Sequence, residues 1–108
     1  MSQIVLITGC SSGIGLAIAS LLAHDPNKRF LVYATLLDPL DQETRFREEV
    51  KDVLDETIFA LRMDVTDDES VKQGVAAVIG KHDRIDVLGN ILLKQQFKSV
   101  IDRLSISN

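Results

Sequence analysis

Apolar and polar positions along the chain fall into blocks whose lengths alternate between those of buried strands and those of helices. Gln3-Ile4-Val5-Leu6-Ile7-Thr8 is a short, apolar, β-branched run that stops at Gly9, and it predicts a strand buried on both faces. Gly9-Cys10-Ser11-Ser12-Gly13 is a turn, after which Ile14, Ile18, Leu21 and Leu22 recur at helical spacing up to His24. Asp25-Pro26-Asn27 ends that helix, because proline cannot continue it. Phe30 to Thr35 predicts a second strand, closed by the loop Leu36 to Asp41. Gln42 to Leu54 predicts a second helix with Phe46, Val50, Val53 and Leu54 on one face and charges on the other. A third strand follows at Ile58 to Met63. Thr66-Asp67-Asp68-Glu69 fits a capping box with Thr66 as the cap, opening a third helix with Val71, Val75, Val78 and Ile79 inward. Ile85-Asp86-Val87-Leu88 predicts a short fourth strand. Ile91 to Leu104 predicts one more helix, with Leu93, Phe97, Val100, Ile101 and Leu104 on a stripe.

Strands alternating with helices imply right-handed βαβ crossovers and a parallel sheet with helices on both faces. The expected architecture is a Rossmann-type three-layer α/β sandwich with about four parallel strands in the order 3-2-1-4. Residues 1–88 then form the N-terminal half of such a domain, and residues 89–108 a helical tail. In that order the fourth strand is an open edge, an association hazard that marks the chain as truncated and points to self-association through that edge.

Composition narrows the function classes. In 108 residues, 45% apolar and 26% charged, there is material for one globular domain burying roughly 65% of its unfolded surface. A net charge of −4 argues against a nucleic-acid binder and against an anionic-membrane binder. The single cysteine, Cys10, suits a reducing compartment. The N-terminus does not read as a secretory signal. The longest mostly apolar stretch, Ile14 to Ala23, is about half of the ~20 residues that span a bilayer, so the expected location is cytoplasmic. Cys10, His24 and His82 are too scattered for a zinc site, and no metal is expected.

The candidate chemistry lies in Thr8-Gly9-Cys10-Ser11-Ser12-Gly13-Ile14-Gly15, set between a strand and a helix. Gly9 can take the turn out of the strand, Gly13 lets backbone approach a phosphate, and Gly15 lets the helix pack on the sheet. The free N–H groups of that helix would face the anion, and Ser11 and Ser12 add hydroxyl donors. Glycines that merely serve a tight strand-to-helix turn are the alternative. No Gly-Lys-Ser/Thr follows, which excludes an ATP or GTP P-loop. The spacing TGxxxGxG resembles that of the short-chain dehydrogenase/reductase family, in particular its steroid- and retinol-converting branch, and the resemblance extends from Ile4 to about Leu88. It implies a dinucleotide cofactor held by Thr8, Gly9, Ser11, Ser12, Gly13, Ile14 and Gly15. It also implies contacts from Asp64 and Val65 to the adenine, from Leu36 at the ribose, and from Asn90.

Four departures from the family qualify this picture. Where NAD-preferring members carry an acidic residue past the second strand, this chain has Leu36, which removes repulsion of a 2′-phosphate and favours NADP(H) over NAD. The arginine that follows in similar enzymes is here Leu37, and loss of such a clamp costs a few kcal/mol. Lys28, Arg29 and Arg45 are the cations considered as replacements. The family's Asp-Val-Leu-Val-Asn-Asn-Ala-Gly is here Asp86-Val87-Leu88-Gly89-Asn90-Ile91-Leu92-Leu93, where only Asn90 matches after Leu88, and a helix cap explains it equally well. Family catalysis uses Tyr-x-x-x-Lys and a serine, but the only tyrosine is Tyr33, followed four residues on by Leu37, so no catalytic residue is assigned. The tail matches nothing in the family.

Cys10, at a helix N-terminus where a thiol pKa can fall, is a weak redox candidate. His24 reads as a helix-end residue and His82 as solvated. Glu48-Glu49 and Asp67-Asp68-Glu69 read as solvated faces or first-turn acids. Three functions remain: an NADP(H)-dependent oxidoreductase acting on a steroid or retinoid in its complete form, a non-catalytic nucleotide-binding module, and an interaction fragment.

Overall fold

A computed structural model describes residues 2–10, 13–37 and 39–89. Four parallel strands, β1 (Gln3–Ile7), β2 (Phe30–Leu36), β3 (Ile58–Arg62) and β4 (Val87–Gly89), form one sheet in the order β3-β2-β1-β4. Helices α1 (Gly13–Ala23), α2 (Pro39–Val50) and α3 (Asp68–His82) connect them. The expected order is therefore the observed one. Strand alternation divides the core in two. Val5, Ile7, Val32, Ala34, Leu36 and Ile58 meet α1 and α2 on one face of the sheet. On the other, Ile4, Leu6, Tyr33 and Met63 meet Val71, Val75 and Val78 of α3. The three α3 valines that the sequence points inward are fully buried, with Ile79 partly so.

Local details differ from the sequence expectation. Helix α1 buries Gly15, Leu16, Ala19, Ser20 and Ala23, while Ile14 and Leu21 are 70% and 74% exposed. Small residues let this helix lie close to the sheet, so Ile14, Ile18 and Leu21 of the stripe face outward while Leu22 packs partly against the core. Helix α2 begins at Pro39, where a missing N–H costs nothing, and stops at Val50. Beyond it Val53 and Leu54 lie in turns, with Leu54 bridging to Ile58. The cap of α3 is Asp67, whose side chain accepts the Glu69 N–H at 3.0 Å; Thr66 bonds to Asp64 instead. Strand β4 begins two residues later than expected, because Asp86 pairs with Ile4 through both backbone and carboxylate.

Side-chain bonds lace the rim where the strands begin. Arg29 pairs with Asp25, Lys28 with Glu56 and Arg84 with Asp86. His24 Nδ1 lies 2.7 Å from the Ser20 carbonyl oxygen and Nε2 2.8 Å from the Asp52 carboxylate. Both ring nitrogens therefore donate, which requires the imidazolium, and the hydrogen bond to Asp52 holds the His24 pKa above its ordinary 6.5. Thr57 Oγ1 donates to the Ala23 carbonyl at 2.6 Å, closing the C-terminal end of α1. His82 is not merely solvated: its Nε2 lies 2.7 Å from the Tyr33 hydroxyl.

Candidate functional site

At the opposite rim, where the strands end, the sequence-predicted groups come together. The turn after β1 is held from both sides: Thr8 N–H donates to the Gly89 carbonyl and Cys10 N–H to the Thr35 carbonyl, each at 3.0 Å. Gly9 and Gly13 have φ of 68° and 64°, the left-handed region that side chains disfavour. A Cβ on Gly15 would overlap the Gly9 carbonyl and approach the Thr8 carbonyl oxygen to 3.2 Å. A Cβ on Gly13 would meet nothing within 4 Å. Gly15 thus serves packing, whereas Gly13 serves a backbone turn with open space before it. The arrangement brings the N-terminus of α1 to the mouth of the turn and fits a diphosphate. Ser11, Ser12 and Asn90, also expected at the site, lie outside the described residues, as do the tail's stripe and its start at residue 91.

Cys10 is fully buried, donates to the Ile7 carbonyl at 3.3 Å, and burial pushes its thiol up to about 12. The low thiol pKa considered from the helix N-terminus is therefore overturned: desolvation outweighs the helix end. Ile14 follows the turn and is exposed. Leu36, at the end of β2, is buried, while Leu37 is 53% exposed.

Across β3, Asp64 accepts from both the N–H and the hydroxyl of Thr66 through Oδ1, at 2.9 and 2.6 Å. These bonds, the hydroxyl one foremost, hold its carboxyl below the usual carboxylate range. The Asp64 N–H in turn donates to Ser70 Oγ at 2.9 Å, tying the loop to α3. Val65 is buried in the α3-side core, so it offers this rim its backbone. Arg62, which sequence reasoning passed over, closes β3 in register with Leu36. Its only sequence signal was a position two residues before Asp64.

Lys28 and Arg29, considered for a cofactor phosphate, stand at the far rim and are paired to Glu56 and Asp25; both are withdrawn. Arg45 is exposed on α2, two turns past the start of that helix. Tyr33 lies inside β2, and burial raises its pKa, the opposite of what acid/base work at neutral pH needs.

The human protein named retinol dehydrogenase 8 is 45% identical over 86 residues, which cover 80% of this chain and 26% of that protein. Human 17-beta-hydroxysteroid dehydrogenase type 1 is 44% identical over 87 residues, covering 79% and 26%. The chain thus spans about a quarter of the curated relatives it matches. Among solved structures, NADPH-bound carbonyl reductase from chicken fatty liver superposes with a TM-score of 0.72 at 26% identity, covering 82% of this chain and 34% of that one. The family profile described as short chain dehydrogenase matches residues 3–91, and with the glycine turn, parallel sheet and strand order above, the chain belongs to the short-chain dehydrogenase family.

Proposed function

We propose that this chain holds the adenosine and diphosphate half of a nicotinamide dinucleotide, NADP(H) in preference to NAD. The observation that carries the reading is the turn of residues 8–15, with left-handed Gly9 and Gly13 and with Gly15 pressed under the Gly9 carbonyl. Thr8, Gly9, Gly13, Ile14 and Gly15 would line the diphosphate, and the sequence adds Ser11 and Ser12 as hydroxyl donors. Asp64 and the Val65 backbone would meet the adenine, and Leu36 the ribose. Bound there, the cofactor would supply a hydride at its nicotinamide end. In the complete protein, hydride transfer would act on a hydroxyl or ketone of a steroid or retinoid, the substrates that its relatives' names suggest. The 108 residues contain no Tyr-x-x-x-Lys, and turnover by this chain alone is expected to be nil. The single buried thiol suits a reducing, cytoplasmic setting.

Calorimetric titration of the purified chain with NADPH tests the reading. Saturable one-to-one binding, displaced by ADP-ribose, supports it. A folded sample that gives no heat overturns it.

A second reading, a self-associating fragment, draws on the exposed Ile14, Ile18 and Leu21 along α1 and on half-exposed Val87 in the edge strand. Sedimentation decides it: a monodisperse monomer at high concentration rules it out.

A further inference from the structure

The rim where the strands end carries an arginine, Arg62, that forms no ion pair among the described residues. It is exposed at the last position of β3. Its Cα registers with Leu36, the last residue of β2. Residues in register on parallel neighbours project to the same side of the sheet. Leu36 projects to the side of α1 and α2, so Arg62 stands on that side too, at the rim that the glycine turn also borders. Neighbouring strands are about 4.8 Å apart, less than the length of an arginine side chain, so its guanidinium can reach the end of β2. There the ribose of a dinucleotide would lie. Leu36 and exposed Leu37 present neither a carboxylate to repel a 2′-phosphate nor a cation to attract one. The electrostatic neighbour of Arg62 is Asp64, whose carboxyl it helps to hold low and whose Oδ1 is occupied by Thr66.

We propose that Arg62 is the cation that meets the 2′-phosphate of NADP(H) and so sets cofactor choice in this chain, in place of the charge missing at Leu37. The guanidinium suits the task because its planar fork donates two parallel hydrogen bonds to phosphate oxygens. The assignment rests on the dinucleotide reading above and adds to it the residue that discriminates one cofactor from the other.

The test is calorimetric binding of NADP+, NAD+, adenosine 2′,5′-bisphosphate and AMP to the full chain and to Arg62→Gln, Arg62→Lys and Arg45→Gln. The parent chain is expected to bind the two 2′-phosphorylated ligands about tenfold or more tightly than their partners. Arg62→Gln should abolish that preference while leaving NAD+ and AMP within about twofold, which also shows that the variant folds. Arg62→Lys should keep part of the preference, and Arg45→Gln all of it. Equal affinities in the parent chain, or an unchanged preference in Arg62→Gln, overturn the assignment while leaving dinucleotide binding standing. A uniform loss for all four ligands in Arg62→Gln also overturns it, making Arg62 a general support of the rim. A parent chain that binds none of the four overturns it together with the dinucleotide reading.

Discussion

The two rims of the sheet are built from opposite materials. Where the strands begin, charged residues are engaged with one another: Asp25 with Arg29, Lys28 with Glu56, His24 with Asp52, and Arg84 with Asp86. Backbone groups there are also answered by side chains, as Thr57 answers Ala23 and Asp86 answers Ile4. Where the strands end, glycines replace side chains, two of them in left-handed conformations, and Arg62 stands without an ion-pair partner among the described residues. One rim satisfies itself and holds the fold; the other carries the glycine turn that we propose holds an anion. Substitutions at the first should change stability without changing ligand affinity, and those at the second should change affinity.

The largest expected effect comes from Gly15→Val. A Cβ there overlaps the Gly9 carbonyl, so α1 must move off the turn, costing about 3 kcal/mol of a total stability of roughly 5–15 kcal/mol. Urea unfolding should show the loss, and NADPH titration should show no binding. Next is Thr57→Val, which orphans the buried end of α1 and should cost about 1–3 kcal/mol in the same assay. If it also weakens NADPH binding tenfold, the two rims are not separable. Gly13→Ala should cost only about 1–2 kcal/mol for its φ of 64°, yet reduce affinity about tenfold by placing a methyl in the open mouth of the turn. Unchanged affinity in a folded Gly13→Ala variant would remove that glycine from the site.

The smallest effect is one of pH. His24 titrates higher when folded than its ordinary 6.5, so its bond to Asp52 contributes fully below about pH 6.5 and is lost as pH rises through the raised folded value. Asp52 titrates lower when folded than its ordinary 3.8, so the contribution fades again in acid, as pH falls through that lowered value. Comparing parent and His24→Gln urea midpoints should show a parent advantage near pH 6 that fades as pH rises through the raised folded value. Because the Asp52 side chain is 65% and that of His24 33% exposed, solvent screens the pair and the difference should be small. An advantage that grows with pH would contradict the imidazolium assignment.

Much of this was legible in the linear order of residues. The alternation of β-branched runs with helical spacings named the four described strands, and analogy with the doubly wound fold supplied their order. The glycine spacing located the strand-to-helix turn, and Phe46 and Val50 marked the inner face of α2 correctly. The outward stripe of α1 was not legible, since eleven mostly apolar residues give no contrast between faces. Which face packs depends on how close the helix must come, and only the sheet beneath settles that. Likewise His82 and Tyr33 are 49 residues apart, and nothing local announces their bond.

Within one strand–turn–helix unit, the sequence by itself determined the turn, its glycines and its family, because backbone conformation there is decided by neighbouring residues. Tertiary structure decided which of the described charges are held in ion pairs and which are not. Lys28, Arg29 and Arg62 are equal as letters. The parallel register places the first two at one end of the sheet beside carboxylates and the third at the other end beside Leu36. Charge pairing depends on distance in space, and that distance is set by strand order and register rather than by separation along the chain.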